Sequence, residues 1–249
     1  MTIFEQQLAI SKKKGAAYWV LLDPDKMPLD KIPDFVKQAE SAEVDGFLIG
    51  GSLILSSDFD KFVAELKRYN HSIPIILFPG SVHQITPHAD AMLFLSLISG
   101  REAQHLIGSQ VLAAPLVYRT GLEAIATAYM LLDSGRTTSA HFMSGTMPIP
   151  RDKPDIVVAH ALAAQYLGFK LIYLEGGSGS DLTIPDHVIL AVAKTCQLPI
   201  IVGGGIKTPK VAAEKVRAGA SFIVTGNVIE RSGGPDLMSE MARAIHSGK

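Results

Sequence analysis

Cysteine is almost absent from this 249-residue chain. Cys196 stands alone, so no intrachain disulfide can form, and a reducing, cytoplasmic setting is the expectation. Charge of either sign is in no excess either. With 23 Lys and Arg against 24 Asp and Glu, the formal net charge is -1, which offers no general attraction for nucleic acid or an anionic membrane. Any bound phosphate must be met locally. No apolar run is long enough to span a bilayer. Lysines 12, 13 and 14 followed by GAAYWVLL have the outline of a signal peptide, but the run meets Asp23, Pro24 and Asp25 at once and shows no small-residue cleavage site, so it reads as a strand. Several catalytic signatures are missing too. The eight histidines show no HExxH or other tight metal-ligand spacing. His83 and His88 fall in a proline-bracketed loop, GGSGS lacks the GxSxG elbow of a serine hydrolase, and neither GSGSDL nor GGGIKT is a Walker sequence.

What is present is apolar material in a regular rhythm. Hydrophobic residues make up 47% of the chain, enough for a large core, and no linker, low-complexity tract or charge block divides it, so residues 1–249 read as one domain. After an opening helix over Thr2 to Lys13, runs of strand length appear at 17–22, 46–49, 75–78, 91–95, 112–117, 171–174, 200–202 and 222–224. Amphipathic stretches at 32–42, 58–69, 155–166, 185–195 and 209–218 alternate with them. Eight strands alternating with helices specify α/β architecture, a modified TIM (β/α)8 barrel. It is modified because PGSVHQITPHAD, after the third strand, is too short and proline-rich for a helix, so the third helix is expected to be missing or reduced to a turn. A helix over Gly121 to Leu132 and a long lid-like loop fill the span before Leu171.

Active sites of such barrels lie at the C-terminal ends of the strands. Strand six, LIYLE, ends at Glu175 and runs into Gly176, Gly177, Ser178, Gly179 and Ser180, a turn with little side chain to keep an anion from the backbone N–H groups. Glu175 is a candidate general base beside that anion, or a strand-end acid hydrogen-bonding to backbone. Alternation puts Tyr173 on the same face as Glu175, in the barrel mouth or in core. Strands seven and eight end in Gly203, Gly204, Gly205 and in Gly226, Asn227, turns of the kind that bind phosphate; Lys207 reads as a residue solvating a helix start. Asp23 at the end of strand one suits a hard cation shared with a substrate phosphate, or caps a turn; Ser52, after Gly50 and Gly51, completes the metal shell or caps a helix. The bulky apolar middle of the chain, beside the missing third helix, leaves a gap where a long hydrocarbon can lie.

With LLDPDK, GGS, YLEGGSGS, IVGGGIKTP and VTGN in this order, the chain resembles the geranylgeranylglyceryl phosphate synthase family, which includes the PcrB-like proteins. The resemblance runs from about Tyr18 to Glu230. It implies transfer of a geranylgeranyl group from geranylgeranyl diphosphate to the 3-hydroxyl of sn-glycerol 1-phosphate, forming an ether and releasing pyrophosphate, with Mg²⁺ required. It also implies Asp23 and Ser52 as metal positions, the segment Tyr173, Leu174, Glu175, Gly176, Gly177, Ser178 and Gly179 for glycerol phosphate, and Gly204, Gly205, Gly226 and Asn227 for further phosphate contacts. Glu175 takes the part of the base, and a homo-oligomer, hexamer or dimer, is expected. Two departures stand out: Leu21 replaces a lysine found in some relatives, and Ser99, Gly100, Arg101, Glu102 stand where relatives often read NSRN. The alternatives are the same reaction with a longer, heptaprenyl-like donor, a phosphosugar isomerase or epimerase, and a phosphometabolite-binding protein without turnover.

Overall fold

A computed structural model describes residues 1–55, 58–226 and 235–248. Eight parallel strands close on themselves in sequence order: β1 Ala17–Leu22, β2 Gly46–Ile49, β3 Ile75–Leu77, β4 Ala91–Leu97, β5 Glu123–Leu131, β6 Leu171–Glu175, β7 Ile200–Gly203 and β8 Phe222–Thr225. β1 pairs with β8 through Ala17 to Val20 opposite Phe222 to Thr225, which closes the cylinder. The helices are α1 Ile3–Lys14, α2 Ile32–Ser41, α3 Phe59–Tyr69, α4 Ser109–Thr120, α5 Ser139–Ser144, α6 Pro154–Tyr166, α7 Asp186–Thr195, α8 Pro209–Arg217 and α9 Pro235–His246. No helix among the described residues is long and apolar enough to cross a membrane.

The strands carry two cores. Side chains turned inward, Trp19, Leu48, Ile76, Leu93, Ile201 and Phe222 among them, fill the barrel, while their outward neighbours pack under the helices. Trp19 fits because residue 46 is glycine: a Cβ there would come within 2.8 Å of the Trp19 ring. α1 seals the lower end. It starts with a reciprocal capping box between Thr2 and Glu5, and its Gln7 accepts from Trp19 Nε1 at 2.6 Å while donating to the Asp45 carbonyl at 2.8 Å.

After β3 there is no α-helix, only a 3-10 turn at Val82–Gln84, as the proline spacing predicts. Gln84 anchors that turn: its Oε1 accepts from Gly80 N at 3.0 Å and its Nε2 donates to the Gly51 carbonyl at 3.0 Å, joining the β3 loop to the end of β2.

One stretch departs from the sequence expectation. Residues 112–117, expected as the fifth strand, lie inside α4, and 123–131, expected as a helix, are β5. The run VLAAPLV is as apolar as a strand, but its alanines suit a helix, and Gly121 at φ +72° terminates that helix rather than opening one. In EAIATAYML the alternation is masked by three alanines, although Ile125, Thr127 and Tyr129 do recur at the strand period. The long loop after β5 contains the six-residue α5 and returns to the sheet at the Leu132–Ile149 bridge.

Candidate active site

Tyr173 and Glu175 face inward from β6, two residues apart, while Leu174 between them packs outward among the helical-layer residues. The ladder sets Glu175 beside Gly203 of β7. Only glycine fits there. A Cβ on Gly203 would lie 2.6 Å from the Tyr173 hydroxyl, and one on Gly204 would lie 2.8 Å from Glu175 Oε1 and 2.8 Å from Gly177 N. The turns after β6 and β7 thus press together around one carboxylate. Glu175 is 6% exposed and its Oε1 accepts from Gly177 N at 2.5 Å. Burial pushes the Glu175 carboxyl up to about 7, against the Gly177 N–H and the neighbouring Tyr173 hydroxyl, which favour the charged form. That hydroxyl is close but is not aligned into a regular hydrogen bond. Burial, and then the charge of Glu175, holds both Tyr173 and Tyr129 above the ordinary phenol range.

Gly177 has φ +92° and Gly179 φ +67°, and the Ser180 N–H closes the turn onto the Gly177 carbonyl at 3.2 Å. Ser178 lies exposed at its tip. Gly176 leads into this turn with its N–H on the Gly203 carbonyl at 3.1 Å, and Gly205, at φ +72°, stacks beside it across the Ser180 hydroxyl. Ser180 Oγ is fully buried between the two turns with no protein partner among the described residues. Gly204 and Gly205 therefore join the β6 turn in one backbone-lined recess. Gly226 sits at the end of β8 near Leu21, whose carbonyl would lie 3.3 Å from a Cβ on it; Asn227 lies outside the described residues.

Asp23 directly follows β1, its side chain 18% exposed. It accepts from Asp25 N at 3.1 Å and holds the Lys26 ammonium at 2.5 Å. Its Oδ2 lies 3.9 Å from where a Cβ on Gly51 would stand, so the carboxylate faces the β2 turn that continues into Ser52. Among the described residues no three His, Cys, Asp or Glu side chains converge as a metal cage. One carboxylate beside the β2 turn fits Mg²⁺, which keeps most of its waters and is usually shared with substrate phosphates, provided that Lys26 yields the carboxylate it now holds.

A cavity of about 550 Å³ runs from the β2 and β3 turns past Phe78, Met92 and Phe94 to Ala113 and Met143, occupying the side where the helix after β3 is absent. An aromatic trio stands between it and Glu175. Phe78 stacks on Tyr173 at 5.1 Å between centroids, and Tyr129 meets both rings edge-on at 5.8 and 5.3 Å. Phe78 and Tyr129, from the bulky apolar middle of the chain, thus belong to the site. Phe78 follows directly on the last residue of β3, so the strand-end rule that finds Asp23 and Glu175 also finds it.

Comparison with known proteins agrees with this fold. Residues 8–248 match the model of the PcrB family. The chain is 44% identical to a geranylgeranylglyceryl phosphate synthase of Spirosoma linguale over 98% of its own length and 96% of that protein's. It is 39% identical to the synthase of Thermococcus gammatolerans, covering 95% and 93%. Among solved structures, the (S)-3-O-geranylgeranylglyceryl phosphate synthase of Thermoplasma acidophilum in complex with its substrate sn-glycerol-1-phosphate superposes with a TM-score of 0.92 at 34% identity, covering 98% of each chain.

Proposed function

The chain belongs to the PcrB family, and on that premise we propose that it transfers a geranylgeranyl group from geranylgeranyl diphosphate to the 3-hydroxyl of sn-glycerol 1-phosphate. One observation carries the proposal. A buried carboxylate held up to about 7 stands with a phosphate-sized glycine recess on one side and an aromatic-lined apolar cavity on the other. A base poised near neutrality, an anion cradle and a hydrocarbon channel are the parts that prenylation of a phosphorylated alcohol needs.

The backbone N–H groups of the turns after β6 and β7 hold the phosphate and leave the far hydroxyl of the glycerol directed at Glu175. The cavity takes the prenyl chain and brings its allylic carbon to the aromatic trio. The rings of Phe78 and Tyr129, which line the cavity, favour the positive charge that grows on that carbon as its bond to the diphosphate oxygen breaks. The electron pair leaves with the diphosphate, the glycerol oxygen forms the ether bond, and its proton passes to Glu175. Asp23 and Ser52 would hold Mg²⁺, which neutralises charge on the leaving diphosphate when bound.

Homo-oligomerisation belongs to the same proposal. The turn before α4 leaves Ile107 exposed and α4 leaves Val111 and Tyr118, while α6 and the residue that caps it leave Ile156, Tyr166 and Leu167, apolar surface that a second copy would cover; mass from light scattering tests it.

The decisive assay combines the protein, Mg²⁺, sn-glycerol 1-phosphate and prenyl diphosphates of rising length, with lipid-extractable phosphate read by mass spectrometry. A product maximum at the twenty-carbon donor is expected. A maximum at a longer donor keeps the reaction and reassigns the chain length, and phosphate binding without product from any donor overturns the proposal.

A further inference from the structure

We propose that Arg136 supplies the positive charge of the glycerol-phosphate recess, acting as a positioning residue for the phosphate held by the turn after β6. This rests on the function proposed above. A phosphate monoester is largely a dianion at neutral pH, yet with the Gly176 and Gly177 N–H groups turned to the Gly203 carbonyl and to Glu175, Gly179, Gly204 and Gly205 offer it only neutral backbone donors. β1 provides no cation to the recess. Leu21 is apolar and packs near Gly226, and Lys26 is drawn to Asp23 at 2.5 Å.

On the other side, the loop after β5 brings a guanidinium directly onto the turn: Arg136 Nη2 donates to the Gly179 carbonyl. The loop is fixed in that place. Leu182 N donates to the Ser134 carbonyl at 3.2 Å, Gly135 N donates to Asp133 Oδ1 at 3.0 Å, and Gly135 adopts φ +88° against the Leu182 side chain. Among the described residues Arg136 has no carboxylate within ion-pair distance, so no neighbouring acid cancels its charge at the turn. The bond to Gly179 uses one of five N–H donors in a rigid fork, and a phosphate oxygen over the turn is a better acceptor for the others than water is.

Two substitutions separate charge from a mere tie between loops. Arg136→Gln keeps an amide donor but no charge; Arg136→Lys keeps the charge. The expected result is a KM for sn-glycerol 1-phosphate raised about tenfold in the Gln variant, with kcat and the KM for the prenyl diphosphate little changed. The same variant should show a flatter dependence of kcat/KM on salt, and Lys should restore most of the loss. Calorimetric titration with inorganic phosphate and with sn-glycerol 1-phosphate reads the same effect without turnover, so it decides the role of Arg136 even if no prenyl donor is used. A Gln variant with wild-type KM and wild-type phosphate affinity overturns the proposal. So does a Lys variant as impaired as Gln, which would place the effect in loop structure instead of charge.

Discussion

Glu175→Gln should make the protein more stable and nearly inactive, and the stability gain should depend on pH. The folded state holds the Glu175 carboxyl up to about 7 through burial, whereas the unfolded chain titrates it near 4.5. Between those values the folded protein binds one proton more than the unfolded chain, so stability falls as pH rises, by about 1.4 kcal/mol per unit. Across the interval from 4.5 to about 7 the loss is about 3 kcal/mol, after which it levels off. Glutamine keeps an oxygen to accept the Gly177 N–H and has no charge to bury. The variant should therefore match the wild type near pH 5 and exceed it by about 3 kcal/mol at pH 8, or roughly 6–12 °C in melting temperature for a domain of this size.

Turnover should fall by about 10²–10⁴-fold, the usual worth of a positioned base, while sn-glycerol 1-phosphate still binds. Thermal melts of both proteins at four pH values from 5 to 8, paired with activity at each, make the measurement. A stability difference that stays constant with pH would show that Glu175 is not held protonated by the fold. Wild-type turnover in the variant would remove it from the chemistry.

Three further outcomes follow from the same geometry. Asp23→Asn should raise the Mg²⁺ concentration needed for half-maximal turnover by at least about tenfold, since a single carboxylate is the charged donor there; an unchanged Mg²⁺ titration would count against it. Gly177→Ala should raise the KM for sn-glycerol 1-phosphate and lower the melting temperature, because the residue has φ +92° and a Cβ would stand 2.3 Å from Thr138 Oγ1; wild-type values for both would refute the strain. Asp45→Ala should cost about 3–5 kcal/mol by unpairing Lys14, His246 and Tyr18 N–H at the lower end of the barrel. Burial opposes the Asp45 charge, but His246, Lys14 and the Tyr18 N–H outweigh it and hold the carboxyl below its ordinary 3.8, so this stabilisation is present above 3.8 and is lost as pH falls through the lower folded value. Acid titration of the variant and wild type should therefore converge only below that point.

Much of the barrel was legible because buried parallel strands are continuous apolar runs bounded by glycine, aspartate or proline, and each strand except the fifth begins within the run read for it. β5 failed for a physical reason. Its neighbours supply the bulk, so alanine suffices at 124, 126 and 128, and alanine carries a helical preference that the sheet overrides. The misread strand also hid Tyr129, whose ring contacts Phe78 and Tyr173 become visible only when β3, β5 and β6 are brought side by side.

The glycine turns were readable for the opposite reason: a backbone that needs positive φ, or that must pass within 3 Å of another chain segment, writes its requirement as glycine. The chemical state of Glu175 is not written in that way. Its identity is a single letter at a strand end, but its readiness to take a proton near neutral pH comes from Gly203 and Gly204 closing over it and from Tyr173 packed beneath, residues drawn from two strands. A larger residue at 203 or 204 would push β7 away and let water reach the carboxylate, returning it toward 4.5, where it holds a proton too weakly to accept one from an alcohol with useful force. The glycines proposed to cradle the phosphate are thus also what would make Glu175 a base, and a mutation at 204 should move both the anion affinity and the pH at which turnover begins.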